Sequence, residues 1–126
     1  MQTAAISLIV VLALVSMFQL AVVLGAPLGE YVSGGQTTGK LTPRLRVASA
    51  VSILIYAGMV GHLLAQIGVV EKLFEGRFNS IGNWGMVGVL GASLALNAMS
   101  KSKKERQLWV PVLLLSVVLA FIVALA

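Results

Sequence analysis

Four stretches of the chain carry no Asp, Glu, Lys or Arg: Met1 to Gly29, Val47 to Val70, Phe78 to Ser100, and Gln107 to Ala126. Each can supply the roughly 20 mostly apolar residues that a helix needs to cross about 30 Å of hydrocarbon. The pattern therefore predicts spans at about Ala4–Leu24, Val47–Val70, Ile81–Met99 and Leu108–Ala126. Helices are the required element, because a lipid-embedded backbone must satisfy its own N–H and C=O groups and these runs are too long and uniformly apolar for barrel strands. The expected fold class is all-α: an integral membrane four-helix bundle of up-down topology, with a single transmembrane domain over residues 1–126. Its connections would be 25–46, 71–80 and 100–107. In the second of these, Val70, Leu73, Phe74 and Phe78 recur at helical spacing, whereas Glu71, Lys72 and Glu75 fall on other faces. That predicts a short amphipathic helix anchored in the interface between the second and third spans.

Composition agrees with lipid as the main solvent. The chain is 59% hydrophobic and only 10% charged, against about 45–50% and about 25% in a soluble domain. A chain of 126 residues has too little interior to hide that excess from water. It has no cysteine, which removes disulfides, thiolate metal sites and cysteine nucleophiles. The first span is expected to be retained rather than cleaved as a secretory signal, since no basic side chain precedes it and Pro27 follows the small-residue exit Leu24-Gly25-Ala26.

The charges predict orientation. Lys40, Arg44 and Arg46 lie in the first connection and Lys101, Lys103, Lys104 and Arg106 in the third, while the second mixes Lys72 and Arg77 with Glu71 and Glu75. The positive-inside rule puts the first and third connections in the cytoplasm and both termini outside. The high pI of about 10.1 then reflects orientation rather than a nucleic-acid-binding stripe, so no nucleic-acid partner is expected.

One string imitates a phosphate-binding loop. Gly34-x-x-x-x-Gly39-Lys40 has P-loop spacing, but Leu41 replaces the hydroxyl residue that would hold magnesium, Pro43 follows, and the upstream element is a membrane helix rather than a strand. A glycine-rich turn is the expected outcome and nucleotide is not an expected ligand. The stretches GAPLGEYVSGGQ, LTPRLRVAS at Leu41–Ser49 and NAMSKSKKERQLWVPV at Asn97–Val112 give the chain a resemblance to uncharacterised small four-helix integral membrane proteins of bacteria. The resemblance implies a bacterial cytoplasmic (inner) membrane protein. It brings no catalytic residue and no cofactor.

Small residues predict packing. Ala57-xxx-Gly61-xxx-Ala65 in the second span, and Gly88-xxx-Ala92 and Gly91-xxx-Ala95 in the third, form ridges that let backbones approach closely in lipid. The second and third spans are thus expected to form the tight centre, with the fourth facing lipid or a partner subunit. Pro111 is expected in the first turn of that fourth span, where its missing N–H costs little.

The candidate functional residues are the few polar groups at depth or at the interface. Glu30 is the acid of the first connection and is expected to pin it through an ion pair with Arg44 or Arg46; alternatively it handles a proton or cation. His62, the only histidine, lies about 22 Å into its span by helical rise. It is either a proton relay or a neutral ring bonded to Gln66, Asn83 or Ser7. Toward the basic face, Gln19, Ser49, Ser93 and Asn97 are expected to form a second polar patch.

Three function classes follow. The first is a non-enzymatic accessory or oligomerising component that presents its glycine-rich loop, with the bilayer and further copies or a larger complex as partners. The second is an oligomeric small-solute or proton-coupled transporter or channel using His62, Gln66 and Glu30. A membrane enzyme ranks third, because no nucleophile–base pair, metal-ligand cluster or carboxylate pair is present in the sequence.

Overall fold

The computed structural model describes residues 1–35 and 37–126. Every element among them is helical: α1 (Gln2–Val23), α2 (Pro43–Gln66), α3 (Arg77–Ala98) and α4 (Lys103–Leu125), with two short 3-10 turns at Gly29–Tyr31 and Ser33–Gly35. α1, α2 and α4 are long and apolar enough to cross a membrane; α3 has the length but less apolar character.

The helix ends follow local chemistry. Gly25, at φ 103°, closes α1: Gly25 N–H donates to Val22 O and Ala26 N–H to Ala21 O, the paired bonds of a Schellman cap. Gly68, at φ 82°, ends α2 with the same two bonds, to Ala65 O and from Val69 N–H to Leu64 O. Thr42 caps the start of α2, with Pro43 in the first position where no N–H is needed. Ser102 caps α4 by accepting from Glu105 N–H. Because α4 therefore starts at Lys103 rather than near Leu108, Pro111 falls in the helix interior and not in its first turn.

The core is organised on α1 and α4. Ala5, Leu8, Leu12, Val15 and Val22 are buried along α1, and Trp109, Leu113, Ser116, Ala120 and Val123 along α4. Both sets advance in steps of three, four or seven residues, the spacing of a seam between closely aligned helices. Met59 and Leu63 of α2 and Met86 and Leu90 of α3 complete the cluster. α3 packs along α4, α1 along α2, and α1 against α4, whereas α2 and α3 scarcely touch.

Two packing expectations are thereby overturned. α4 is a central helix packed on both α1 and α3, and only its outer face, with Leu114, Val118 and Leu125, is exposed. The small ridges do not mediate the α2–α3 contact either: a Cβ added at Gly61, Gly88 or Gly91 would meet nothing within 4 Å. Ala57, Gly61, Gly88, Ala92 and Ala95 are exposed, and only Ala65 of the ridges is buried. The heptad stripes of α1 and α4 offer larger, continuous apolar faces, and each outer helix packs on its neighbour in the chain. The one small residue used at the α2–α3 seam is Gly82, whose Cβ would sit 2.8 Å from His62 Cε1.

The amphipathic helix expected after Val70 is also absent: Gly68–Gly76 is irregular, and Leu73 is 90% exposed. Two glycines flank the stretch at positive φ, Gly68 at 82° and Gly76 at 58°, and the ten residues between helix ends leave few turns to nucleate.

Gly88→Ala is expected to be neutral or mildly stabilising, by up to about 1 kcal/mol, because it gains helix propensity and meets open space. Gly29→Ala is expected to cost about 1–3 kcal/mol, because its Cβ would collide with Thr37 O and Gly39 O of the backbone. Reversible unfolding in mixed micelles measures both, and destabilisation by Gly88→Ala would restore the small-ridge packing.

Candidate functional site

The first connection folds back over the end of the bundle that carries the basic residues. Val32 and Leu41 bury with Val22 of α1 in a small cluster of their own, against Phe18, Leu28 and Leu45. Arg46 fixes the junction by donating from Nε and Nη2 to Val23 O at 2.8 and 2.6 Å, satisfying a carbonyl that the end of α1 leaves free. Neither Arg46 nor Arg44 pairs with Glu30. Arg44 is exposed, and Glu30 pairs with Lys104 at a half-exposed site. The ion pair expected within the connection therefore runs to α4 instead, because α4 begins early enough to bring its lysines over the loop.

The first turns of α4 hold the connection in place. Ser102 Oγ donates to Glu30 O, and Trp109 Nε1 donates to Tyr31 O at 2.6 Å, with the Trp109 ring edge-on to Phe18 at 5.0 Å. Glu105 is only 6% exposed, and its Oε2 accepts from Gly34 N–H at 2.8 Å. This explains the P-loop-like string in physical terms. Ser33, Gly34 and Gly35 all have positive φ, a curvature that turns N–H groups toward an anion, and the anion received is the chain's own carboxylate. Gly35 must lack a side chain, since a Cβ there would stand 2.6 Å from Ser102 Cβ.

Beneath this cap a cavity of about 440 Å³ lies between α2 and α3. Gln19, Ser49, Ser93 and Asn97, expected to form a polar patch, all line it. Tyr56 and Glu105 add to that wall. Asn97 Nδ2 donates to Ser93 O at 2.7 Å, which leaves its carbonyl oxygen uncommitted. Gln19 sits on the buried stripe of α1, four residues after Val15 and three before Val22, and its Oε1 is buried with no hydrogen-bond donor among the described residues.

The other end of the same seam is closed by polar contacts. His62 Nε2 lies 2.7 Å from Asn83 Oδ1, and Gln66 and Asn79 exchange two amide hydrogen bonds of 2.8 and 2.9 Å. The pairs climb one turn of α2 while descending one turn of α3. His62 thus has Asn83 as its partner, and Gln66 bonds to Asn79 rather than across to the ring. Glu30 lies in the loop cap and does not share a site with either. Between the closed end and the cavity stand Met59 and Met86, both buried.

Sequence reasoning missed Glu105, Tyr56 and the indole donor of Trp109. Glu105 had a signal: Ser102-Lys103-Lys104-Glu105 is a capping-box pattern, which places a carboxylate in the first turn of a helix. Here the carboxylate leaves the box to reach Gly34. Among the described residues no group of three or more His, Cys, Asp or Glu could hold a metal ion. No protein-family model, curated protein or solved structure matches the chain.

Trp109→Phe keeps the ring and removes the donor to Tyr31 O, so it is expected to cost about 1 kcal/mol and to speed trypsin cleavage after Lys40 and Arg44. Glu105→Ala, which also strands the Gly34 N–H, is expected to cost about 1–3 kcal/mol and to loosen the loop further. Lys104→Ala should change cleavage least, because its pair is open to solvent. Cleavage as slow in Glu105→Ala as in the wild type would refute the clamp.

Proposed function

We propose that this protein is a non-enzymatic four-span protein of the bacterial cytoplasmic membrane that admits a small polar solute into the seam between α2 and α3, as the carrier or channel unit of an oligomer. In this reading α3 is the fourth crossing. Its lower hydropathy comes largely from Asn79, Asn83, Ser93 and Asn97, which line or close the seam rather than face lipid. The antiparallel His62–Asn83 and Gln66–Asn79 register supports the up-down arrangement, with both termini outside and the clamped loop in the cytoplasm.

The observation that carries the proposal is the contrast between this seam and the others. Helices in lipid gain by close packing, yet α2 and α3 scarcely touch, and near the basic end amides and hydroxyls line the gap between them. At the other end the amide pairs and buried methionines form a thin closure, the form of a site open on one side. His62 and Gln66 then belong to the outer gate. Glu30 belongs to the cap over the inner mouth, where it holds Lys104 rather than meeting solute.

An accessory or oligomerising component is the second reading. It is favoured by the unpartnered glycine faces at Gly58, Gly61, Gly88 and Gly91, where another helix could lie close. The glycine-rich loop supports it less, because that loop is tied down on α4.

Osmotic re-swelling of proteoliposomes over a panel of small solutes tests the carrier reading. Wild-type protein is expected to accelerate re-swelling for at least one solute, and Ser93→Trp, which plugs the cavity, to return the rate to that of empty liposomes. Rates equal to empty liposomes for every solute would overturn it.

A further inference from the structure

The donors and acceptors around the inner cavity are unbalanced, and the imbalance identifies the kind of ligand that fits. Gln19 Oε1 is a buried acceptor with no donor among the described residues. A stranded carbonyl in a low-dielectric site calls for an N–H or O–H from whatever enters. Asn97 presents a second carbonyl to which no described residue donates, while one of its two amide N–H groups is spent on Ser93 O. Ser52 Oγ, on the cavity wall, donates to Ala48 O at 3.2 Å and keeps its acceptor capacity. Glu105 supplies the third acceptor group: a carboxylate offers about four lone-pair sites, which Gly34 N–H, the Ser100 side chain and the Gly35 backbone share in part.

Charge points the same way. No lysine or arginine lines the cavity, and Glu105 is the one acidic residue that does. An anion would be desolvated there with no partner, whereas a cation would meet acceptors on three walls. The rings of Tyr56 and Trp109 also border the space, and aromatic faces attract cations. The remaining walls include Val15, Leu96 and Leu113, room for an apolar stem but not for a second charged group. A bare metal ion fits less well, since the described residues hold no cluster of three or more metal-ligating side chains.

We infer that the cavity between α2 and α3 is a binding site for a small organic ammonium ion carrying a short apolar stem, its N–H donors directed to Gln19, Asn97 and Glu105. This deepens the solute-binding reading and rests on the seam being open to solute. The cavity volume falls within the range of about 300–1,000 Å³ of small-molecule pockets, ample for an ion of four or five heavy atoms. Gln19 is the decisive residue. A leucine there would continue the apolar stripe of α1 and remove the stranded amide, so the glutamine costs stability that a bound hydrogen-bond donor would offset.

The test uses the full chain in detergent micelles with Trp84→Phe as background, so that Trp109 is the sole tryptophan reporter. n-Butylammonium chloride, n-butanol, sodium butyrate and sodium chloride are titrated at matched ionic strength while indole emission and thermal unfolding are followed. Butylammonium is expected to give a saturable emission change and a rise in unfolding temperature that the other three do not give. In Gln19→Leu the unfolding temperature without ligand should stay equal or rise while the apparent Kd weakens at least about tenfold, a loss of about 1.4 kcal/mol. Tyr56→Phe, which preserves the ring, should bind butylammonium nearly as well as the wild type.

An equal response to butanol would mean the cavity reads only the stem, and an equal response to sodium would mean it reads only charge. Either result overturns the assignment, as does the absence of any saturable change with wild-type protein. The re-swelling assay separates the two readings. Binding without solute flux leaves the ammonium site standing and removes the carrier, while flux without ammonium selectivity does the reverse.

Discussion

A carboxylate withdrawn from water must be given donors, and the arrangement of the basic end depends on how Glu105 obtains its own. The donor is Gly34 N–H, in a loop whose positive-φ backbone turns its amides toward the charge. That contact, with Trp109 bonded to Tyr31 O, fixes the first connection across the first turns of α4. Val32, Ser33 and Gly34 of the cap line one side of the polar cavity, so the loop's placement shapes that cavity together with the helix side chains.

The same contact reassigns the most conspicuous string in the sequence. A glycine-rich loop is a general device for presenting N–H groups to an anion, and spacing alone does not say which anion. Here it is internal. The all-α class, helix positions to within about one helical turn, and the patch of Gln19, Ser49, Ser93 and Asn97 were legible because each rests on the apolar pattern, on depth, or on both. The partner of His62 was legible as one of three, since Asn83 falls at matching depth.

Packing was less legible, for a physical reason. Small-xxx-small ridges state that a close approach is possible, not which helix makes it, and five of the seven ridge residues lie exposed. The stripes of α1 and α4 carried the better signal: Ala5, Leu8, Leu12, Val15 and Val22 against Trp109, Leu113, Ser116, Ala120 and Val123. In chains that are apolar all round, such stripes are masked by their equally apolar neighbours. Glu105 escaped notice because its role depends on a partner 71 positions away. The interfacial helix failed because amphipathic spacing over so few residues does not overcome the cost of nucleation.

These observations describe a seam with two unlike ends, one held open by a clamped loop and polar walls, the other shut by His62–Asn83, Gln66–Asn79 and two methionines. The central claim is that water reaches the first end and stops before the second. The natural chain has no cysteine, so single substitutions Leu90→Cys, Ser93→Cys and Asn97→Cys on α3 can be read with a membrane-impermeant thiol reagent applied to the loop-bearing face. The account predicts rapid labelling at positions 93 and 97 and protection at position 90. Protection at all three positions, or equal labelling of all three, would contradict it.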